Sequence, residues 1–509
     1  MDPVSGKNQS HLHKVNPAPA HGAKTSNAAS QIASNALKNA KRDLKLNEQI
    51  LSERQIANID QVPLTREKVK AFNIPPAVVL RLNTPNGRMG YGSGFPIHSR
   101  LVVTARHCVD ESAKGFFGLF KVHVRSEEGL WQEPGSTTAA KSRERIPIRC
   151  HLLNSLGEKI SIDLVREEGG KKIPKSFEEL AQDMDALKKN EIQALEAQVK
   201  ANPKDKNLKK KLNFLSQNHQ KENPEVFNHF LDIAILEFDT DLYPEGSAAR
   251  EAIPSLLDVD TIEHVCNQPT PKVVLGLPAR KLKRSNSDED FNKIYQENPF
   301  YISQFHNLGS EKSRSKTESN HQGLKSYNGN SGGPVVSHIN GKSYYTGLVS
   351  RGDDKTGRMI SVNLQGDVLE KLIKPTLTEV DGKEPKLLSL KDLNLSEKKL
   401  KFQQSIIQAL FEWTIRFFPK RVQDWAWQWQ LQQAIEKEDA NQLLSLLTGS
   451  GLSEAADWLS IPVCEGNPPQ TLAQSLRELW APKSFDALLS LISPQEKERL
   501  GLDKMIGAS

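Results

Sequence analysis

Little in this 509-residue sequence fits a disulfide-stapled or membrane-spanning protein. It has only four cysteines, Cys108, Cys150, Cys266 and Cys464, and their irregular spacing gives neither a disulfide framework nor a CxxC metal pair. Such a chain suits a reducing compartment, or at least one where no fold depends on disulfides. There is no apolar run of membrane length, and the N-terminus lacks the apolar stretch of a secretory signal. The expectation is a cytoplasmic-type chain without signal peptide, a description that leaderless export as an effector would also satisfy. Charge of one sign is missing too. A net +6 spread over this length is weak ground for nucleic acid, and the Lys-rich segment around Lys209 has no interleaved aromatics beyond Phe214 on which bases could stack. His11 with His13, and His264 with Cys266, have no second pair nearby, so no metal site is expected and no cofactor is implied.

Tryptophan is nearly absent from the first four-fifths of the chain. Trp131 stands alone there, whereas Trp413, Trp425, Trp427, Trp429, Trp458 and Trp480 crowd the end. A disordered tail does not carry such residues. Ile407, Leu410, Phe411 and Thr414, then Val422, Trp425 and Trp429, recur at three- and four-residue spacing and predict amphipathic helices, so 385–509 reads as an all-α partner-binding domain. Residues 1–72 read as a disordered N-terminal tail and lead-in helix. Leu180, Met184, Leu187, Ile192 and Leu195, set among Lys and Glu, predict a helical insertion over 175–220, folded into a hairpin by the Asn202-Pro203 break.

The chain is organised around Asn328 to Val336, Asn-Gly-Asn-Ser-Gly-Gly-Pro-Val-Val, a glycine-walled turn opening into a strand. Such a turn can aim adjacent N–H groups at one point, and those of Gly329 and Ser331 would then form an oxyanion hole, with Ser331 Oγ as nucleophile. A serine is too weakly acidic to act alone and requires a histidine base held by a carboxylate. Leu101 to Ala105, apolar and β-prone, delivers His107 at its end, and Leu231 to Leu236 carries one acid, Asp232, among apolar neighbours. Asp163, in Ser161-Ile162-Asp163-Leu164-Val165, is the competing acid.

The pieces TARHC, DIAIL and GNSGGPV, in the order His, Asp, Ser, resemble a chymotrypsin-like (trypsin-fold, PA clan) serine protease, closest in style to bacterial GNSGGP-type enzymes. The resemblance implies a mainly β fold of two six-stranded antiparallel β-barrels over 73–370, interrupted by the helical insertion. It implies a serine endopeptidase acting on protein or peptide substrates through His107, Asp232 and Ser331. Lys325, six residues before the nucleophile, and Ser350, Arg351 and Gly352 fall where the family forms its primary specificity pocket, and two cations there would favour Glu or Asp before the scissile bond. The cysteine after the histidine has no partner in Gly90 to Ile97, and Asn330 stands where zymogens carry an aspartate, so no activation cleavage is expected. The rival is a catalytically idle protease-fold scaffold that binds partners through its helical domains.

Overall fold

A computed structural model describes residues 62–83, 89–109, 122–126, 128–131, 144–154, 156–218, 231–266, 272–277, 301–305, 318–322, 329–353, 358–417, 425–448, 459–464 and 470–500. Of the expected disordered tail, residues 1–61 lie outside this set. The strands in chain order are β1 (Val62–Pro63), β2 (Val78–Asn83), β3 (Met89–His98), β4 (Leu101–Thr104), β5 (Val122–Ser126), β6 (Glu144–Arg145), β7 (Arg149–Leu153), β8 (Lys159–Asp163), β9 (Val165–Glu168) and β10 (Lys171–Pro174). They continue with β11 (Ala234–Glu237), β12 (Lys272–Gly276), β13 (Tyr301–Phe305), β14 (Glu318–Gln322), β15 (Pro334–Ile339), β16 (Lys342–Asp353) and β17 (Arg358–Asn363).

All but β9 and β10, which pair with each other in a ribbon of their own, form two large sheets. The first has eight strands in the order β6-β5-β2-β3-β4-β11-β7-β8, and the second has seven in the order β1-β13-β12-β15-β16-β17-β14. The β-branched run of β4 and the Ala-Ile-Leu-Glu of β11 are buried throughout and pair antiparallel, Ala234 opposite Thr104 and Glu237 opposite Leu101. Burial on both faces is why these two strands read as continuous apolar runs rather than alternating ones.

The two closed six-stranded barrels that the resemblance implies are not found. Both sheets are open, and helix outweighs strand, so the fold is not mainly β. The edges explain the openness. β6 is two residues long, and β8, at the opposite edge, exposes Ser161 and Asp163 and pairs only with β7. In the second sheet the edge strand β1 ends in Pro63, which has no N–H to offer a further ladder.

Helix supplies the rest. The lead-in helix α1 (Arg66–Phe72) is N-capped by Thr65 and ends on Asn73 in the left-handed region. Helix α2 (Phe177–Ala201) starts in a capping box, the Ser176 hydroxyl accepting from the Glu179 N–H and the Glu179 carboxylate from the Ser176 N–H. It buries Leu180 and Met184 in the sheet core and then runs outward. After the Asn202-Pro203 break, Asp205 Oδ1 accepts from the Asn207 and Leu208 N–H groups and starts α3 (Lys206–Asn218), which packs back on α2.

Towards the C-terminus come α4 (Glu397–Phe417), α5 (Trp425–Glu436), α6 (Ala440–Thr448), α7 (Leu472–Leu479), α8 (Pro482–Ser490) and α9 (Pro494–Leu500). A two-stranded ribbon, Pro462–Cys464 with Gln470–Thr471, corrects the all-α expectation for this region. These helices enclose a second hydrophobic core, and α5 belongs to both cores. Trp427 joins the helical one, while Trp429, two positions on and on the opposite face, packs into the core of the sheets. Among the described residues no helix is long and apolar enough to cross a membrane.

Candidate active site

β4 ends in a short 3-10 turn, Arg106–Cys108, that turns His107 away from the sheet. The register of β11 on β4, continued two residues before Ala234, brings Asp232 beside that turn. The Asp232 carboxylate is buried and receives three donors: the His107 N–H at 2.9 Å to Oδ1, and His107 Nδ1 at 2.8 Å and Ser350 Oγ at 2.6 Å to Oδ2. An ionised carboxylate only accepts, so Nδ1 carries the imidazole proton and Nε2 is left with its lone pair.

The electrostatics agree with this assignment. Burial would push the Asp232 carboxyl up, but the His107 ring and the hydrogen bonds from Ser350 and the His107 backbone outweigh it and hold the group down to about 2. For His107 burial opposes the imidazolium while the facing carboxylate favours it, and the carboxylate prevails: the ring titrates well above its ordinary 6.5. Its side chain keeps 31% exposure, so the ring is open to solvent on one side while its Asp232 partner is buried.

The GNSGGP turn meets this pair from the second sheet. Gly329 and Gly332 hold φ of 96° and 82°, in the region that favours glycine. Gly332 is further pinned, since a Cβ there would lie 2.2 Å from the Ser93 carbonyl oxygen and 2.3 Å from Thr104 Oγ1. Ser331 is half-buried, and its carbonyl accepts the Ser93 N–H at 2.8 Å, with Cys108 Sγ 3.8 Å away. The Ser331 loop and the histidine turn therefore share neighbours. Among the described residues no hydrogen bond joins Ser331 Oγ to His107.

No family model matches this sequence, and no curated protein matches it either. What the site can do follows from its geometry.

The remaining residues singled out in the sequence fall as follows. Asp163 is not near His107: it accepts from Arg149 Nε at 2.7 Å on the exposed face of β8. Ser350 lies on β16 with its hydroxyl on Asp232, so its side chain braces the carboxylate. Arg351 and Gly352 follow on the same strand, past a bulge in the ladder with β17, and Arg351 is half-buried. Lys325 lies outside the described residues, so only Arg351 of the two expected pocket cations has a described position. Asn330 is fully buried, and among the described residues neither its Oδ1 nor its Nδ2 has a hydrogen-bond partner.

Ser93 was not singled out in the sequence, where Gly-Ser-Gly reads as local irregularity in a strand. The signal was there in one form: a polar residue at a buried position of an otherwise apolar strand needs partners. Ser93 has them on both sides of Asn330, as its hydroxyl donates to the Gly329 carbonyl at 2.7 Å and its N–H to that of Ser331.

Proposed function

We propose that the chain is a serine endopeptidase of the kind its three motifs resemble. The observation that carries this is the fully hydrogen-bonded Asp232–His107 pair lying against the GNSGGP turn, with the Cys108 thiol, next to His107, 3.8 Å from the Ser331 carbonyl. His107 Nε2 takes the proton of Ser331 Oγ as that oxygen attacks the substrate carbonyl carbon. The Gly329 and Ser331 N–H groups hold the oxyanion, and His107 then passes the proton to the leaving amine. Water repeats the sequence on the acyl-enzyme. Asp232 stays ionised throughout and keeps the imidazole in the tautomer that can accept.

The absent Ser331–His107 hydrogen bond is what the idle-scaffold alternative draws on. Such bonds are often long before substrate binds and tighten in the complex. Reaction of the purified chain with a fluorophosphonate separates the readings. Wild type should be labelled, while Ser331→Ala should not and should lose peptide cleavage with its fold intact. A wild type that resists labelling, or a Ser331→Ala variant that cleaves as fast, overturns the endopeptidase.

A further inference from the structure

Gly329 and Ser331 as oxyanion donors belong to the function proposed above, and the inference that follows rests on it. Three consecutive peptide planes are involved. The first carries the Gly329 N–H, the third carries the Ser331 N–H, and the middle one, joining Gly329 to Asn330, sets how the outer two face each other.

Several features bear on what holds the middle plane. Gly329, at φ 96°, has no side chain to resist rotation. The Asn330 side chain, though buried, makes no hydrogen bond among the described residues. After the nucleophile the loop is tied mainly within its own sheet, the Gly332 N–H donating to the Val349 carbonyl at 2.7 Å and the Gly333 N–H to that of Asn330 at 2.8 Å, with one backbone bond from the opposite sheet, the Ser93 N–H to the Ser331 carbonyl at 2.8 Å, which alanine at 93 would keep. Before the nucleophile the hold comes from the opposite sheet. Ser93 Oγ donates to the Gly329 carbonyl at 2.7 Å and accepts from the Leu277 N–H at 3.1 Å, so its one proton and one lone pair are both committed. Ser93 itself cannot shift readily: it is fully buried, and Thr104 Oγ1 donates to its carbonyl at 2.9 Å.

We propose that Ser93 is a positioning residue for the oxyanion hole: its hydroxyl locks the Gly329–Asn330 peptide so that the Gly329 and Ser331 N–H groups converge before substrate arrives. Alanine at 93 would leave the Gly329 carbonyl unpaired in a dry interior and its peptide free to turn. Donors that must reorient during the reaction stabilise the transition state less while binding the ground state as before, so the loss falls on kcat rather than KM.

The test uses the full chain as wild type and Ser93→Ala, with a peptide substrate, a peptide aldehyde as transition-state analogue, the fluorophosphonate, and hydrogen exchange over residues 328–333. The expected result is a fall in kcat and in labelling rate of about 10- to 100-fold with KM within about twofold. Aldehyde affinity should weaken in parallel, and the loop amides should exchange faster. The acid limb of the pH profile should stay in place, because the His107–Asp232 pair is untouched. A variant with unchanged kcat and labelling overturns the proposal and leaves the endopeptidase standing. So does one in which kcat, KM and the acid limb all move together, the mark of a general structural role. A wild type that is never labelled overturns the endopeptidase instead, and the exchange arm then decides for Ser93: unchanged loop exchange in Ser93→Ala overturns the tether as well. Should Ser93→Ala fail to fold, Ser93→Cys, a weak donor of similar size, is measured in the same way.

Discussion

Asp232 accepts three hydrogen bonds at the candidate site, and the role proposed for it can be tested against its competitor. Asp232→Asn presents an amide to His107 Nδ1, favours the wrong tautomer and should lower kcat by about 10⁴-fold. Asp163→Asn, which gives up only an exposed ion pair with Arg149, should leave turnover within a factor of about two. Steady-state kinetics of the two variants make the comparison, and reversed effects would refute the assignment. The pH profile carries the same information. His107 must be neutral to accept a proton and its pKa lies above 6.5, so kcat/KM should fall as pH drops through a value higher than an ordinary histidine's. In Asp232→Asn, residual activity should titrate at lower pH, since the charge that raises the pKa is gone. Gly332 offers a test of packing. A side chain at φ 82° meeting the Ser93 carbonyl at 2.2 Å should cost on the order of 3 kcal/mol or more, so Gly332→Ala should melt many degrees below wild type or not fold. The meeting of Asp232 with His107 was legible in the sequence because each sits at the end of an apolar strand that reads clearly, and those strands pair. Ser93 was not, since its role depends on which strand faces the loop across two sheets.

At the scale of elements, the sequence located the apolar strands beside the candidate site and the helical hairpin to within a few residues. Leu101–Thr104 was found where expected, and the break at Asn202-Pro203 divides α2 from α3. Closure was another matter. Hydrophobic pattern says that a segment is a strand, but whether the first and last strands of a sheet meet depends on edge length and twist, and the two-residue β6 and β1 carry no such signal. One contact between elements makes a measurable prediction. The turn between β15 and β16 is held by α5: Glu436 Oε2 accepts the Gly341 N–H at 2.9 Å, and Gln432 donates to the His338 carbonyl at 2.7 Å. Burial pushes the Glu436 carboxyl up to about 7 and the neighbouring His338 ring down to about 3, with the Lys437 charge adding to the second shift. Nε2 of His338 lies 3.4 Å from Glu436 Oε2 without a hydrogen bond, and both groups prefer to be neutral. For Glu436 the folded value is above 4.5, so its contribution is present below that pH and is lost as pH rises through about 7. For His338 the folded value is below 6.5, so its contribution is present above that pH and is lost as pH falls through about 3. Between 4.5 and 6.5 the two slopes cancel. This contact should therefore be strongest in that window, and Glu436→Gln should remove the loss on its alkaline side. Melting temperatures of both proteins across the pH range provide the check.

Over the whole molecule, the strand that leaves the nucleophile is fastened at both ends. Its start is wedged against Ser93 and Thr104 through Gly332, and its far end is gripped by Gln432 and Glu436 of a helix that also reaches into the second core through Trp427. Such an arrangement should couple melting of the helical region to that of the candidate site, although the contacts at His338 and Gly341 lie at the end of β15 opposite to Ser331. The chain carries its own reporter for this. Six of its seven tryptophans lie beyond residue 412, so intrinsic fluorescence on heating reads mainly the C-terminal region, while decay of fluorophosphonate labelling reads the loop of Ser331. The two midpoints should coincide, and separation by more than a few degrees would show that the helices melt on their own. Coincidence also has a consequence for inheritance and design. If the proposed endopeptidase holds, a lesion in the tryptophan-rich helices, remote in sequence from Ser331, should silence it as completely as a change at Ser331, and a compound that loosened the grip of α5 on the β15–β16 turn should inhibit it without touching His107.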